Sequence, residues 1–368
     1  NNGCSLSHPR GEGQGEGDSS SLNRLLVIPA LKSLTDKLAE LREPDGREKL
    51  SSEVVAKIYG TTLRSSVSRL EEFASCPFKF FVRVGLRAGE RKVFELDARE
   101  RGNFQHDVLK IFHEQLQAEG KRWRDLTPVE ARKRIGDIAA VQMEGFRDGL
   151  LRDSAESVFA ALALAAALQD FIEVIVTWMR EQYEFDPAQV ELGFGGKTDA
   201  TPAWEIDLPA GHKLALQGRI DRVDLWREPG GDTALAVVTD YKSGGKKLDA
   251  LLVKNGVQLQ LLAYLAALRR WPNAPATFGV EKLIPAGAFY VNLRGEFKGG
   301  GTRDEILNDT EAKKLAYRHN GRFDAEALAQ LDRAGTANQF NYRRNKDGSL
   351  RKGSVEALPH TEFEKLPD

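Results

Sequence analysis

The chain has 368 residues, enough for two domains or for one mixed domain carrying insertions. Its 53 Lys+Arg and 54 Asp+Glu leave a formal net charge of −1, so overall charge argues neither for nor against nucleic acid and only local patches can. A hydrophobic content of 41% excludes a disordered protein, and two cysteines exclude a disulfide framework and fit a reducing compartment, so a cytoplasmic location is expected.

Residues 1–22 are rich in Gly, Ser and Glu without an apolar period and read as a disordered tail. This polar start carries no secretory pattern. Residues 23–64 read as a linker and helical lead-in, with helical spacing over 25–41. The rest, 65–368, reads as the main domain. It opens on SSVSRLEEFASCPFKFFVRVGL, where Ser66 or Ser68 offers a helix cap with acids in the following turn, and where Pro77 interrupts.

Apolar positions 104, 108, 111, 112 and 116 predict an amphipathic helix carrying His106. Residues 128–185 look helical throughout, which suggests a helical insertion at about 119–189. Its most apolar run, VFAALALAAAL at 158–168, is too short to span a bilayer and is followed by Gln169, Asp170 and Glu173; a buried helix is expected. GFGGKT at 193–198 ends like a phosphate loop. That motif needs Gly at 191, where this chain has Glu191, so no ATP binding is expected.

From Trp204 the period changes. WEIDL, KLALQGRIDRVDLW and TALAVVTDYK read as three strands of an antiparallel meander, separated by PAG and EPGGD turns. A helix over 251–270, stopped by Pro272, leads to a fourth strand at 285–293. The order helix, three strands, helix, strand predicts a mixed α/β fold.

The chemistry concentrates on these elements. Asp240 and Lys242 end an apolar run and, two residues apart on a strand, share a face that Tyr241 does not. The bland reading is a strand-end salt bridge before a Gly244–Gly245 turn. Asp221 lies on the middle strand, and neighbouring antiparallel strands are only ~4.8 Å apart. Two facing carboxylates repel unless a cation lies between them, so the pair suits a hard divalent metal. The bland alternative for Asp221 is a surface salt bridge with Arg219 or Arg222. Gln260 and Tyr264 share a helix face at i, i+4, beside a core stripe of Leu261, Leu265 and Leu268. His106 could reach the same metal as a neutral imidazole.

Taken in order, G-x-x-x-H, G-x-I-D-R-V-D, D-Y-K-S-G and Q-x-x-x-Y resemble a PD-(D/E)XK nuclease of the RecB branch. More narrowly the chain resembles the C-terminal nuclease domain of AddB-type helicase–nuclease subunits. SVSRLEEFASCPFKFF, with Ser66, Ser68, Leu70, Glu71 and Cys76-Pro77-Phe78, matches the entry to that domain, and the resemblance covers roughly 57–293. It implies a restriction-endonuclease-like core. It implies that Asp221 and Asp240 bind Mg²⁺ or Mn²⁺ with help from His106 and the carbonyl of Tyr241. Lys242 would orient the attacking water, while Gln260 and Tyr264 would hold the DNA strand. The implied activity is a deoxyribonuclease, an exonuclease by expectation, acting on single-stranded DNA beside an AddA-like helicase in double-strand-break repair.

The pattern departs in one respect. In many AddB-type domains the cysteine matched by Cys76 joins three C-terminal cysteines around an iron–sulfur cluster. No cysteine follows Cys76 here, and Cys4 lies upstream, so this chain alone cannot hold a four-cysteine cluster. A fragment of a longer protein is expected, with little activity in isolation and no membrane association. Lysines 242, 246, 247 and 254, and the basic stretch 341–353, are candidate phosphate contacts. Two other readings share these residues: a catalytically inactive DNA-binding scaffold of such a complex, and a stand-alone restriction-type endonuclease.

Overall fold

A computed structural model describes residues 50–89, 95–297, 302, 309–351 and 353–366. The tail at 1–22, the helical spacing at 25–41 and Cys4 lie outside the described residues. Of the first compact unit, 1–58, residues 50–58 are described and form most of a short helix, Ser52–Tyr59.

The second unit, 59–368, is built on an eight-stranded mixed sheet. Strand β1 (Thr62–Ser66) leads directly into helix α1 (Val67–Ser75), with Ser66 at the cap position but without a side-chain cap bond. Helices α2 (Ala98–Ala118), α3 (Pro128–Gly145) and α4 (Ala155–Glu181) follow. Their starts are set locally. Asp97 accepts from the Glu100 N–H, Thr127 and Glu130 form a reciprocal capping box ahead of Pro128, and Ser154 accepts from Ser157. Then come β2 (Asp186–Phe194), β3 (Trp204–Asp207), β4 (Lys213–Arg227) and β5 (Thr233–Lys242). Helix α5 (Gln260–Arg269) crosses over to β6 (Lys282–Asn292), and β7 (Asn320–Asp324) and β8 (Ala357–Leu358) complete the sheet.

Strand β4 is the hub. Its first half lies between β1, parallel, and β3, antiparallel; its second half lies between β2 and β5, both antiparallel. The β3–β4–β5 meander and the helix-then-strand that follows are as expected, and β5 and β6 run parallel. The mixed α/β, restriction-endonuclease-like architecture is therefore present.

Each sheet face has its own core. On one side α2, α3 and α4 bury Phe104, Phe112, Trp123 and Trp178 against Val237, Tyr241, Phe289 and Val291. On the other, α5 places Leu261, Leu265 and Leu268 against Ala236, Val238 and Ala288, the stripe its spacing predicts.

Three expectations need correction. Helix was expected through 185 but ends at Glu181, and the last residues of the insertion, bounded at about 189, belong instead to β2 from Asp186. Every residue of β2 before Phe194 is half-buried, so no apolar–polar alternation marks it. The apolar run at 158–168 is not wholly buried: Phe159 is 75% and Leu162 55% exposed, while Phe171 to Met179 carry the packing. The run is apolar on all sides, so spacing could not tell its inner face from its outer one. By length and composition α4 is the one described helix able to cross a membrane, yet Asp170 and Glu173 pair with Arg132 and Lys313 along it. Finally, the helix expected over 251–270 is broken. A short turn, Ala250–Lys254, ends near Gly256 at φ 74, and α5 restarts at Gln260.

Candidate active site

Strand register brings the acids together. The β4–β5 pairing runs Asp224–Val237, Val223–Val238, Arg222–Thr239, so one step further Asp221 faces Asp240. Asp221 Oδ2 accepts the main-chain N–H of Tyr241 at 2.6 Å, which locks the two strands at that point. On the far side of β5, Asp240 pairs with Tyr290 of β6. Three adjacent strands thus carry Asp221, Asp240 and Tyr290 in one row.

Tyr241 and Arg222 occupy the opposite face. The Arg222 guanidinium contacts Asp224 at 2.7 Å and donates to the Tyr241 hydroxyl at 2.9 Å; Tyr183 donates to Asp224 at 2.8 Å. Arg222 is buried to 1% exposure and Asp224 to 0%, so the second half of G-R-I-D-R-V-D builds core, not surface. The bland alternative for Asp221 is not realised. Arg222 points away, Arg219 Nη1 lies 3.9 Å from Glu191, and Asp221 is buried.

Lys242 behaves as predicted for the face of Asp240. Its ammonium contacts the Asp240 carboxylate and donates to Gln260 Oε1 at 3.1 Å. Gln260 Nε2 in turn donates to the Tyr264 hydroxyl at 3.3 Å. The i, i+4 pair is therefore tied to the lysine. Glu71 of α1 accepts the N–H groups of Leu259 and Gln260 at 2.7 and 3.0 Å, capping the start of α5 where the preceding break exposes it. A Cβ on Gly218 would stand 2.7 Å from the Phe194 ring and 3.0 Å from Tyr264, so the glycine of G-x-I-D makes room for the aromatic that Gln260 holds.

His106 approaches from α2. Its Nδ1 lies 3.1 Å from Glu191 Oε1 and 3.6 Å from Asp221 Oδ1. A Cβ on Gly102, one turn earlier, would meet nothing within 4 Å. Glu191 was not foreseen as a site residue; in the sequence it is notable only for spoiling a phosphate-loop pattern. In the fold it lies opposite Asp221, between the paired Val190–Arg222 and Leu192–Ile220 steps, with φ 48. A non-glycine residue in the left-handed region inside a strand costs on the order of 1 kcal/mol or more, and such strain collects at functional positions. The GFGGKT segment continues from β2 through a turn toward β3, not into a helix.

One ligand atom each from His106, Glu191 and Asp221 lie within 4.8 Å of one another. Asp240 flanks this trio with its carboxylate taken by Lys242, and Tyr241 joins through its N–H. Electrostatics reflect the crowding. Burial, then Asp240 and Glu191, push Asp221 up to about 7 against the pull of His106. Burial also raises Asp240, although Lys242 opposes it. Burial works against charge on His106, yet Asp221, Glu191 and Asp240 raise it to about 9. Clustered carboxylates with an imidazole, carrying more negative charge than their surroundings neutralise, fit a hard divalent cation. They do not fit an iron–sulfur cluster. Cys76 is half-buried, its Sγ accepts the Lys79 N–H, and the sequence holds one other cysteine.

Comparison with known proteins agrees with this geometry. Residues 64–360 match the family described as the PD-(D/E)XK nuclease superfamily. The chain is 33% identical over 310 residues to the B subunit of the ATP-dependent helicase/deoxyribonuclease of Clostridium novyi (strain NT), covering 83% of this chain and 27% of that protein. It is 34% identical over 309 residues to the protein of the same name from Moorella thermoacetica, covering 83% and 26%. For that of Acetivibrio thermocellus the identity is 32% over 321 residues, covering 86% and 27%. The chain thus spans about a quarter of the length of the curated relatives it matches.

Proposed function

This chain belongs to the PD-(D/E)XK nuclease superfamily, and on that footing we propose that it is a divalent-metal-dependent nuclease domain hydrolysing phosphodiester bonds of DNA. The observation that carries the proposal is the meeting of Asp221, Glu191 and His106 with Lys242 held alongside. His106, Glu191, Asp221, Asp240 and the carbonyl of Tyr241 would hold Mg²⁺ or Mn²⁺. The bound cation would supply Lewis-acid stabilisation of the charge that builds on the phosphate.

The chain's own groups do the rest. Lys242, fixed between Asp240 and Gln260, orients a water by donating to its oxygen. That oxygen bonds to phosphorus as the bond to the leaving sugar oxygen breaks; the water gives up one proton to solvent and the leaving oxygen takes one up, so the net change is addition of water across the bond. Gln260 and Tyr264 line the approach and hold the strand. The buried Arg222–Asp224–Tyr183–Tyr241 network keeps β4 and β5 from shearing, so the two acids stay opposed. The relatives are named as B subunits of an ATP-dependent helicase/deoxyribonuclease, which supports a place beside a helicase subunit acting on DNA; an AddA-like partner, single strands as the substrate and a role at DNA breaks complete the proposal.

Cleavage of a labelled single-stranded oligonucleotide with Mg²⁺ or Mn²⁺ tests the proposal. Asp240→Ala and Lys242→Ala should each lower the rate by about 100-fold or more. Wild-type rates in both variants would defeat it, and tight DNA binding without any metal-dependent cleavage would select the scaffold reading.

A further inference from the structure

Of the lysines that the sequence offers as phosphate contacts, one besides Lys242 stands at the site as a second ammonium. Lys246 lies four residues past Lys242, across the bend at Ser243 and Gly244. Its Nζ stands 4.6 Å from the centroid of the Tyr290 ring, and Lys242 Nζ stands 5.5 Å from the same centroid. Tyr290 is the register neighbour of Asp240, so both cations flank the row of strands that carries the acids. Its hydroxyl is buried and, among the described residues, has no hydrogen-bond partner.

The loop bearing Lys246 is clamped. Gln258, buried to 7% exposure, donates to the carbonyl of Lys247 at 3.1 Å and accepts the N–H of Asp249 at 2.8 Å. Arg322 reaches the carbonyl of Leu248 at 3.4 Å. A half-buried lysine on a fixed loop loses rotamer freedom and hydration, and here a like charge shares its ring. Among the described residues Lys246 forms no ion pair; Glu71 and Asp240 act on it only at longer range. Two ammonium ions at one aromatic ring repel, and an anion between them relieves both. The anion that must come to this place is a backbone phosphate.

We propose that Lys246 is a substrate-binding residue that contacts a phosphate oxygen of the DNA strand at the cleavage centre, as the second cation of a two-lysine clamp on Tyr290. This rests on the nuclease reading above, and the experiment separates the two. The full chain and its Lys246→Met and Lys246→Ala variants are titrated with a fluorescent single-stranded oligonucleotide at several salt concentrations, with Ca²⁺ present. Methionine keeps an apolar stem against Tyr290 and removes the charge. Lys246→Met should bind about tenfold more weakly, with a salt slope shallower by about 1. Its Mn²⁺ affinity and urea midpoint should stay at wild-type values. Wild-type affinity and slope in Lys246→Met overturn the inference, including the case where Lys246→Ala alone is impaired, since that marks mere packing. If the wild-type chain fails to cleave with metal, the nuclease reading falls, and the binding titrations still decide the role of Lys246.

Discussion

Glu191 Oε1 stands 3.1 Å from His106 Nδ1, and Glu191 reaches that position only by holding φ at 48 within β2. Glycine adopts that backbone freely but loses more entropy on folding, so Glu191→Gly should leave the metal-free unfolding free energy, read from urea titration, within about 1 kcal/mol of wild type. The same substitution should weaken Mn²⁺ binding by about tenfold or more, read by titration calorimetry. Undiminished Mn²⁺ affinity would remove Glu191 from the donor set.

The buried pair on the other face makes a second prediction. Arg222→Met leaves Asp224 charged and without its main partner at 0% exposure, a loss of about 3–5 kcal/mol. Asp224→Leu strands Arg222 in the same way. Joined in one protein, the two changes remove both charges, and urea unfolding should show the double variant well above the sum of the singles. Strictly additive losses would mean that the pair contributes no coupling.

Glu71 supports the candidate site at a distance, by capping α5. Glu71→Ala frees the N–H groups of Leu259 and Gln260 and should cost about 1–2 kcal/mol. Glu71→Gln keeps an acceptor and should recover most of it. Cleavage should fall with Ala more than with Gln, because Gln260 carries the contact to Lys242. Equal cleavage by both variants would show that Gln260 needs no cap.

Two buried histidines set an acid limit on stability. His113 Nδ1 accepts from the Trp123 indole at 3.2 Å, and burial, then Arg222, lowers its pKa to about 4. His319 donates from Nδ1 to the Tyr317 carbonyl and accepts from Gln339; burial, then Arg222, lowers it to about 3. Both folded values lie below the unfolded one, so their stabilisation is full above about 6.5 and is lost as pH falls through about 4 and about 3. Glu356, raised to about 7 by burial, acts in the opposite sense, favouring the fold at low pH and losing that contribution as pH rises toward 7. The histidines therefore put a downward limb into the urea midpoint on acidification below 6.5, opposed by Glu356 and by Asp221, which burial also raises to about 7. His113→Gln with His319→Gln should flatten that drop, whereas an unchanged acid limb would assign it elsewhere.

The legible part of this protein is where chemistry interrupts a pattern. Asp240 and Lys242 stand out because they end an apolar strand, and alternation alone puts them on one face and Tyr241 on the other. Gln260 and Tyr264 follow from helical spacing. Glu191 does not, because its role depends on a positive φ and on lying opposite Asp221, and neither leaves a mark in one dimension. The strands missed, β1, β2, β7 and β8, share a cause. They are short or evenly half-buried, and they exist because β4, β6 and, for β8, β7 offer them partners. Arg222, offered by the sequence as a surface partner for Asp221, instead pairs with Asp224 in the core.

Strand β1 has a consequence for how the molecule is made. Thr62 finds its mate Lys213 only some 150 positions later, across the whole helical insertion. During synthesis β1 must therefore wait, with its edge unpaired, until the ribosome has delivered β4, and closing so distant a contact makes it one of the last steps of assembly. The strand that leads into α1, and so to the Glu71 cap, is thus the natural place for the finished domain to begin coming apart.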